Sequence, residues 1–76
     1  MNEVMSGRRR RGRLRYDHDS GRFVLDGWEL HCGDAFEVFD GERWRATRIE
    51  MSGNAWYLVG ISHGVELDGL EARSHE

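Results

Sequence analysis

Lysine is absent from this chain: all eleven basic residues are arginine. A GC-rich genome accounts for that as well as a binding role does, so the absence decides little. Cysteine is nearly absent too. The one cysteine, Cys32, excludes an internal disulfide framework. With no apolar run near the N-terminus to act as a signal peptide, the expected setting is reducing and cytoplasmic. No segment approaches the ~20 apolar residues that span a bilayer, so no membrane association is expected. No stretch has the periodicity of a long amphipathic helix, and no internal repeat occurs. At 76 residues there is room for one domain. A chain this short buries only about 60 % of its unfolded surface, which leaves no place for a deep catalytic cleft beside the core.

What is present is unevenly spread. Arg8, Arg9, Arg10, Arg11, Arg13 and Arg15 fall within eight positions, yet the net charge is −3. Residues 1–15 carry those six arginines against Glu3, or +5, whereas residues 16–76 carry five arginines against thirteen carboxylates, or −8. Each part therefore has its own field. Residues 1–12 show no hydrophobic periodicity, and adjacent like charges repel. They read as a disordered basic arm, and residues 13–76 as a single domain.

From Leu14 onward short apolar stretches recur between turn signals: "DSG" at 19–21, "DG" at 26–27, "CGD" at 32–34, "DGE" at 40–42, "SGN" at 52–54 and "DG" at 68–69. Such pairs supply the positive φ of tight turns, and the pattern is that of a β-meander. A first strand is expected over Arg13–Tyr16. Phe23 and Leu25 share one face, as do Phe36 and Val38, with Glu37 toward water. Trp44 and Ala46 read as inward, which places Ile49 in the opposite phase and calls for a bulge near Thr47–Arg48. "AWYLVG" is apolar on both faces. The tail "VELDGLEAR" reads as one helical turn and a closing strand through Leu70 and Ala72. Five or six short, bent strands in so few residues are most economically closed into an all-β, SH3-like barrel, ahead of a small OB-type barrel.

"LHCG", "FEV", a Gly and Trp leading into "TRIEM", and "WYLVG" together resemble a family of small bacterial domains of unknown function, widespread in Gram-positive bacteria and on mobile elements. The likeness runs from about Leu14 to Arg73. Ala35 stands where the family often has a second cysteine, and the arginine arm is an addition. The resemblance implies a compact all-β domain and transfers no catalytic residue.

No stretch supports catalysis or a cofactor. In "HCGD" the adjacent His31 and Cys32 point to opposite faces of a strand. A structural zinc site needs four ligands at paired spacing, so no metal is expected and Cys32 reads as a small buried turn residue. "DHDSGR" lacks the Glu required at the twelfth position of a calcium loop, where Trp28 stands. Its Asp side chains are expected to bond nearby amides instead. Trp44 and Trp56 read as core, Trp28 and Tyr57 as surface aromatics.

Two functional readings follow. In the first, a non-catalytic interaction module works on nucleic-acid machinery: the six arginines contact phosphates, and a barrel face around Tyr57 and Trp28 meets protein or base. In the second, Glu37, Asp40 and Glu42 belong to an acidic face that occupies a basic nucleic-acid groove of a host complex, as an anti-CRISPR or anti-restriction protein would. A structural or assembly subunit is a third reading. A protein partner is expected, with the chain itself a monomer or weak dimer.

Overall fold

The computed structural model of the protein describes residues 9–61 and 66–75. The expectations for Arg8 and for the start of the "VELDGLEAR" segment at Val65 lie outside them. The six turn signals each fall between two strands, and each holds a glycine at positive φ. At Asp26–Gly27 the φ angles are 50° and 80°. These two residues join strands paired at Leu25 and Trp28, the two-residue hairpin with positive φ at both centres that matches strand twist.

Among the described residues there are eight strands: β1 (Arg11–Arg13), β2 (Arg15–Asp17), β3 (Arg22–Leu25), β4 (Trp28–Glu29), β5 (Ala35–Phe39), β6 (Trp44–Ser52), β7 (Ala55–Leu58) and β8 (Glu71–Ser74). They form a five-stranded sheet in the order β1-β8-β5-β6-β7 and a three-stranded sheet in the order β2-β3-β4, with all pairs antiparallel. The all-β expectation holds. Closure into a barrel of five or six strands does not, because the strands divide between two sheets. The split is made at Leu14. Its N–H donates to Leu70 O at 2.8 Å and its carbonyl accepts from Gly69 N at 2.7 Å, so the chain leaves β8 there and enters the smaller sheet.

The pairing also begins earlier than the sequence suggested. Arg11 and Gly12 lie opposite Arg73 and Ala72. Arg10 extends the contact, its N–H donating to Ser74 Oγ at 2.8 Å and its carbonyl accepting from Ser74 N at 2.8 Å. The first strand is thus Arg11–Arg13, and Arg15–Asp17 belongs to the other sheet.

The core lies between the sheets and consists of Leu14, Phe23, Leu25, Leu30, Phe36, Val38, Ile49, Leu58 and Ala72. Phe36 and Val38 face inward as expected. The reading of β6 is overturned: Thr47 and Ile49 are buried together, while Ala46 is exposed. The register runs unbroken from Phe39–Trp44 to Ala35–Arg48, and β7 takes over at Ile49. Thr47 tolerates burial because its hydroxyl donates to Val59 O at 2.7 Å, which satisfies a polar group that would otherwise be costly to bury. Trp44 consequently stands on the outer face rather than in the core.

Trp28, expected at the surface, shares the inner side of its hairpin with Leu25 and packs against the core. Trp56 packs there as expected, its Nε1–H donating to Gly21 O at 2.9 Å. Cys32 occupies its expected turn but is exposed. Asp34 accepts from His31 N at 2.7 Å, and Gly33 N donates to Ile49 O at 2.8 Å, which fixes the turn with Cys32 outward. Asp17 organises the "DHDSGR" turn as expected, accepting from Asp19 N and Ser20 Oγ.

Candidate functional site

Antiparallel partners directly opposite one another share a face. Following the registers across the large sheet assembles its outer surface: Arg11 and Arg13 from β1, Glu71 and Arg73 from β8, Glu37 and Phe39 from β5, Trp44 and Ala46 from β6. Alternation carries Arg9 to the same side, where its charge acts on Glu37. Glu50 and Tyr57, paired opposite each other, continue this face toward the β7 edge.

Trp44 is the centre of the surface. The Arg73 guanidinium lies 4.1 Å from its ring centroid and that of Arg11 lies 5.4 Å away, while the Phe39 ring is tilted against it at 5.5 Å. Guanidinium planes stack on the electron-rich faces of indole. Arg73 is also oriented by Glu37, its Nε donating to Oε1 at 2.6 Å. That bond, with the charges of Arg73, His75 and Arg9 behind it, holds the Glu37 carboxyl below the usual glutamate range despite partial desolvation. Arg11 reaches Glu71 at 3.5 Å while keeping 60 % of its side chain exposed. Cation, aromatic and carboxylate are therefore in mutual contact, with Arg9, Arg11 and Arg13 along the β1 border.

The other expected site residues scatter. Arg10 turns away and donates through Nη1 to Asp26 O at 2.6 Å. Arg13, though on the outer face, donates to Gly69 O at 2.9 Å. Arg15 starts the smaller sheet, opposite Val24. Glu37 is in the arginine face rather than in an acidic one. Asp40 ties the β5–β6 turn, its Oδ1 accepting from Glu42 N at 2.8 Å and Arg43 N at 2.9 Å. Those amides, followed by Arg45, lower its pKa. Glu42 sits exposed at the tip of that turn. Sequence reasoning missed Phe39, Trp44 and Arg73 as a group. The available signal was the phase of Thr47 and Ile49, which puts Trp44 outside once no bulge is inserted.

No group of three or more His, Cys, Asp or Glu able to hold a metal occurs among the described residues. No helix there is long and apolar enough to cross a membrane.

Fold and face together define a small all-β domain with an arginine- and aromatic-lined sheet surface. A family model described as a domain of unknown function, DUF5348, matches residues 12–74. The chain belongs to that family, in agreement with the resemblance read from its motifs. A crystal structure of a protein from Ruminococcus gnavus is similar to it, at 40 % identity and a TM-score of 0.68, over 87 % of this chain and 99 % of that one. No curated protein matches.

Proposed function

We propose that the chain is a non-catalytic interaction module that holds single-stranded nucleic acid on the outer face of the five-stranded sheet. The observation that carries this reading is the Arg11–Trp44–Arg73 stack bordered by Arg9 and Arg13. Single strands are bound by pairing cations for the backbone with planar groups on which bases stack, and an arginine fixed on an aromatic serves as such a plane. The sheet, rather than a disordered arm, then supplies the geometry, with the Arg9 charge on its positive border. The setting that suits the reading is the cytoplasmic nucleic-acid machinery of a bacterium or mobile element. An SH3-like architecture suits the reading as well, since two small antiparallel sheets share one core. The acidic-inhibitor reading has less support, since Glu37 pairs with Arg73 and Asp40 is occupied in its own turn.

The test is fluorescence anisotropy of a labelled twelve-nucleotide oligo(U). Arg9→Gln/Arg11→Gln should weaken binding and reduce the log–log salt slope by about 1.4, the share of two phosphate contacts on a single strand. Arg43→Gln, in the exposed β5–β6 turn, should change neither. Equal effects from both variants, with circular dichroism confirming the fold, would discard the proposal.

A further inference from the structure

The two sheets do not close on each other, and this leaves inner-face aromatics at an open mouth. Tyr16 lies opposite Phe23 in the smaller sheet. Trp56 lies on β7 of the larger one. The space where they meet is a cleft of about 460 Å³ lined by Tyr16, His18, Phe23 and Trp56, with Glu66 and Asp68 also on its wall. The rings are mutually oriented: Tyr16 meets His18 edge-on at 4.9 Å and Phe23 at 5.2 Å. Tyr16 is 38 % exposed, unusually open for an aromatic on the inner side of a sheet, whereas Phe23 beneath it is buried. The position of Asp68 is fixed by its Oδ1, which accepts from Tyr16 N at 2.9 Å. The Trp56 indole is anchored through Nε1 to Gly21 O.

We infer that this mouth is a binding site for an alkylated ammonium group. Aromatic faces attract cations through their quadrupoles, and converging rings select a bulky, weakly hydrated ammonium over a small, strongly hydrated ion. The two carboxylates complement its charge and oppose a phosphate or a nucleic-acid backbone. Trp56 already accommodates one cation, with the Arg22 guanidinium 5.9 Å from its centroid. The site is separate in place and opposite in charge from the arginine face, so it stands or falls independently of the nucleic-acid proposal.

The probe is tetramethylammonium chloride, titrated into the full chain at pH 7.5 while the Trp56 Nε1–H and Tyr16 amide resonances are followed. Sodium chloride at equal ionic strength and neopentyl alcohol, a neutral isostere, are the controls. Saturable shifts with tetramethylammonium alone are expected. Glu66→Gln/Asp68→Asn keeps side-chain shape and an acceptor for Tyr16 N, and should weaken binding by about tenfold through lost charge. Tyr16→Leu, which keeps the apolar body, should do the same through the lost ring. Choline and a trimethyllysine peptide, run in parallel, distinguish a small metabolite from a modified protein as the source of the group. Shifts matched by sodium chloride or by neopentyl alcohol, or unchanged in both variants, would overturn the inference.

Discussion

Phe36 and Phe39 are three residues apart on one strand and lie on opposite faces of the sheet, so their removal should carry very different costs. Phe36 is fully buried, opposite Thr47 of β6 and Ser74 of β8. Phe39 is half-buried on the outer face against Trp44. Removing a buried phenyl ring costs roughly 3–5 kcal/mol through lost transfer energy and the cavity left behind. A chain of 76 residues holds only about 4–11 kcal/mol of total stability, so Phe36→Ala should lose from roughly a quarter to all of it. Phe39→Ala forfeits an aromatic contact and part of a ring's burial, roughly 1–2 kcal/mol, and should remain folded. Urea titrations followed by far-ultraviolet circular dichroism measure both. With a slope of about 1 kcal/mol per molar for a domain this small, Phe39→Ala should lower the midpoint by roughly 1–2 M. Equal losses, or the larger loss at Phe39, would refute the assignment of faces on which both proposed sites depend.

Acid should destabilise the domain in a defined window. Asp17, Glu37 and Asp40 have lowered pKa values because Ser20, Arg73 and the amides of the β5–β6 turn, respectively, favour their charged forms. A lowered carboxyl pKa contributes stability above the unfolded value, and that contribution is lost as pH falls through the folded one. Melting temperature should therefore hold from neutral pH to about 5 and fall below about 4. Glu37→Gln should flatten part of that fall, and a melting temperature constant down to pH 3 would contradict the assignments. At the β3–β4 hairpin, Gly27→Ala places a side chain at φ 80°. It should cost about 1–2 kcal/mol, read as a melting temperature lower by roughly 4–16 °C, whereas Asp26→Asn should be nearly neutral because asparagine tolerates that conformation.

Much of this architecture was legible in the sequence because local chemistry dictates it. The turns are set by Asp-Gly and Gly-Asn pairs, and the inward phase of Phe23, Leu25, Phe36 and Val38 follows from alternation. What was not legible depends on partners distant in the chain. Trp44 and Ala46 read as inward from their apolar character, but Thr47 wins the buried position because Val59 O, twelve residues on, accepts its hydroxyl. Arg11 and Gly12 read as part of an arm because nothing local orders them; β8, some sixty residues later, does. Division into two sheets hinges on Leu14, whose bonds to Gly69 and Leu70 no nearby residue announces. The candidate face inherits these limits. Its arginines were visible as a run, while its centre at Trp44 emerged only from the register of β5, β6 and β8.

On the proposed function, the arginine-bordered face around Trp44 binds single-stranded nucleic acid. The most direct measurement is the dissociation constant for labelled oligo(U) at 50 and 200 mM salt, with Trp44→Phe beside the native chain. Four contacts, from Arg9, Arg11, Arg13 and Arg73, give a log–log slope of about −2.8 and weaken binding about 50-fold between those salts. Trp44→Phe should bind more weakly at both salts with the slope unchanged, because it alters stacking and not charge. An absence of binding at 50 mM, or an affinity indifferent to both salt and Trp44, would exclude that role for the face.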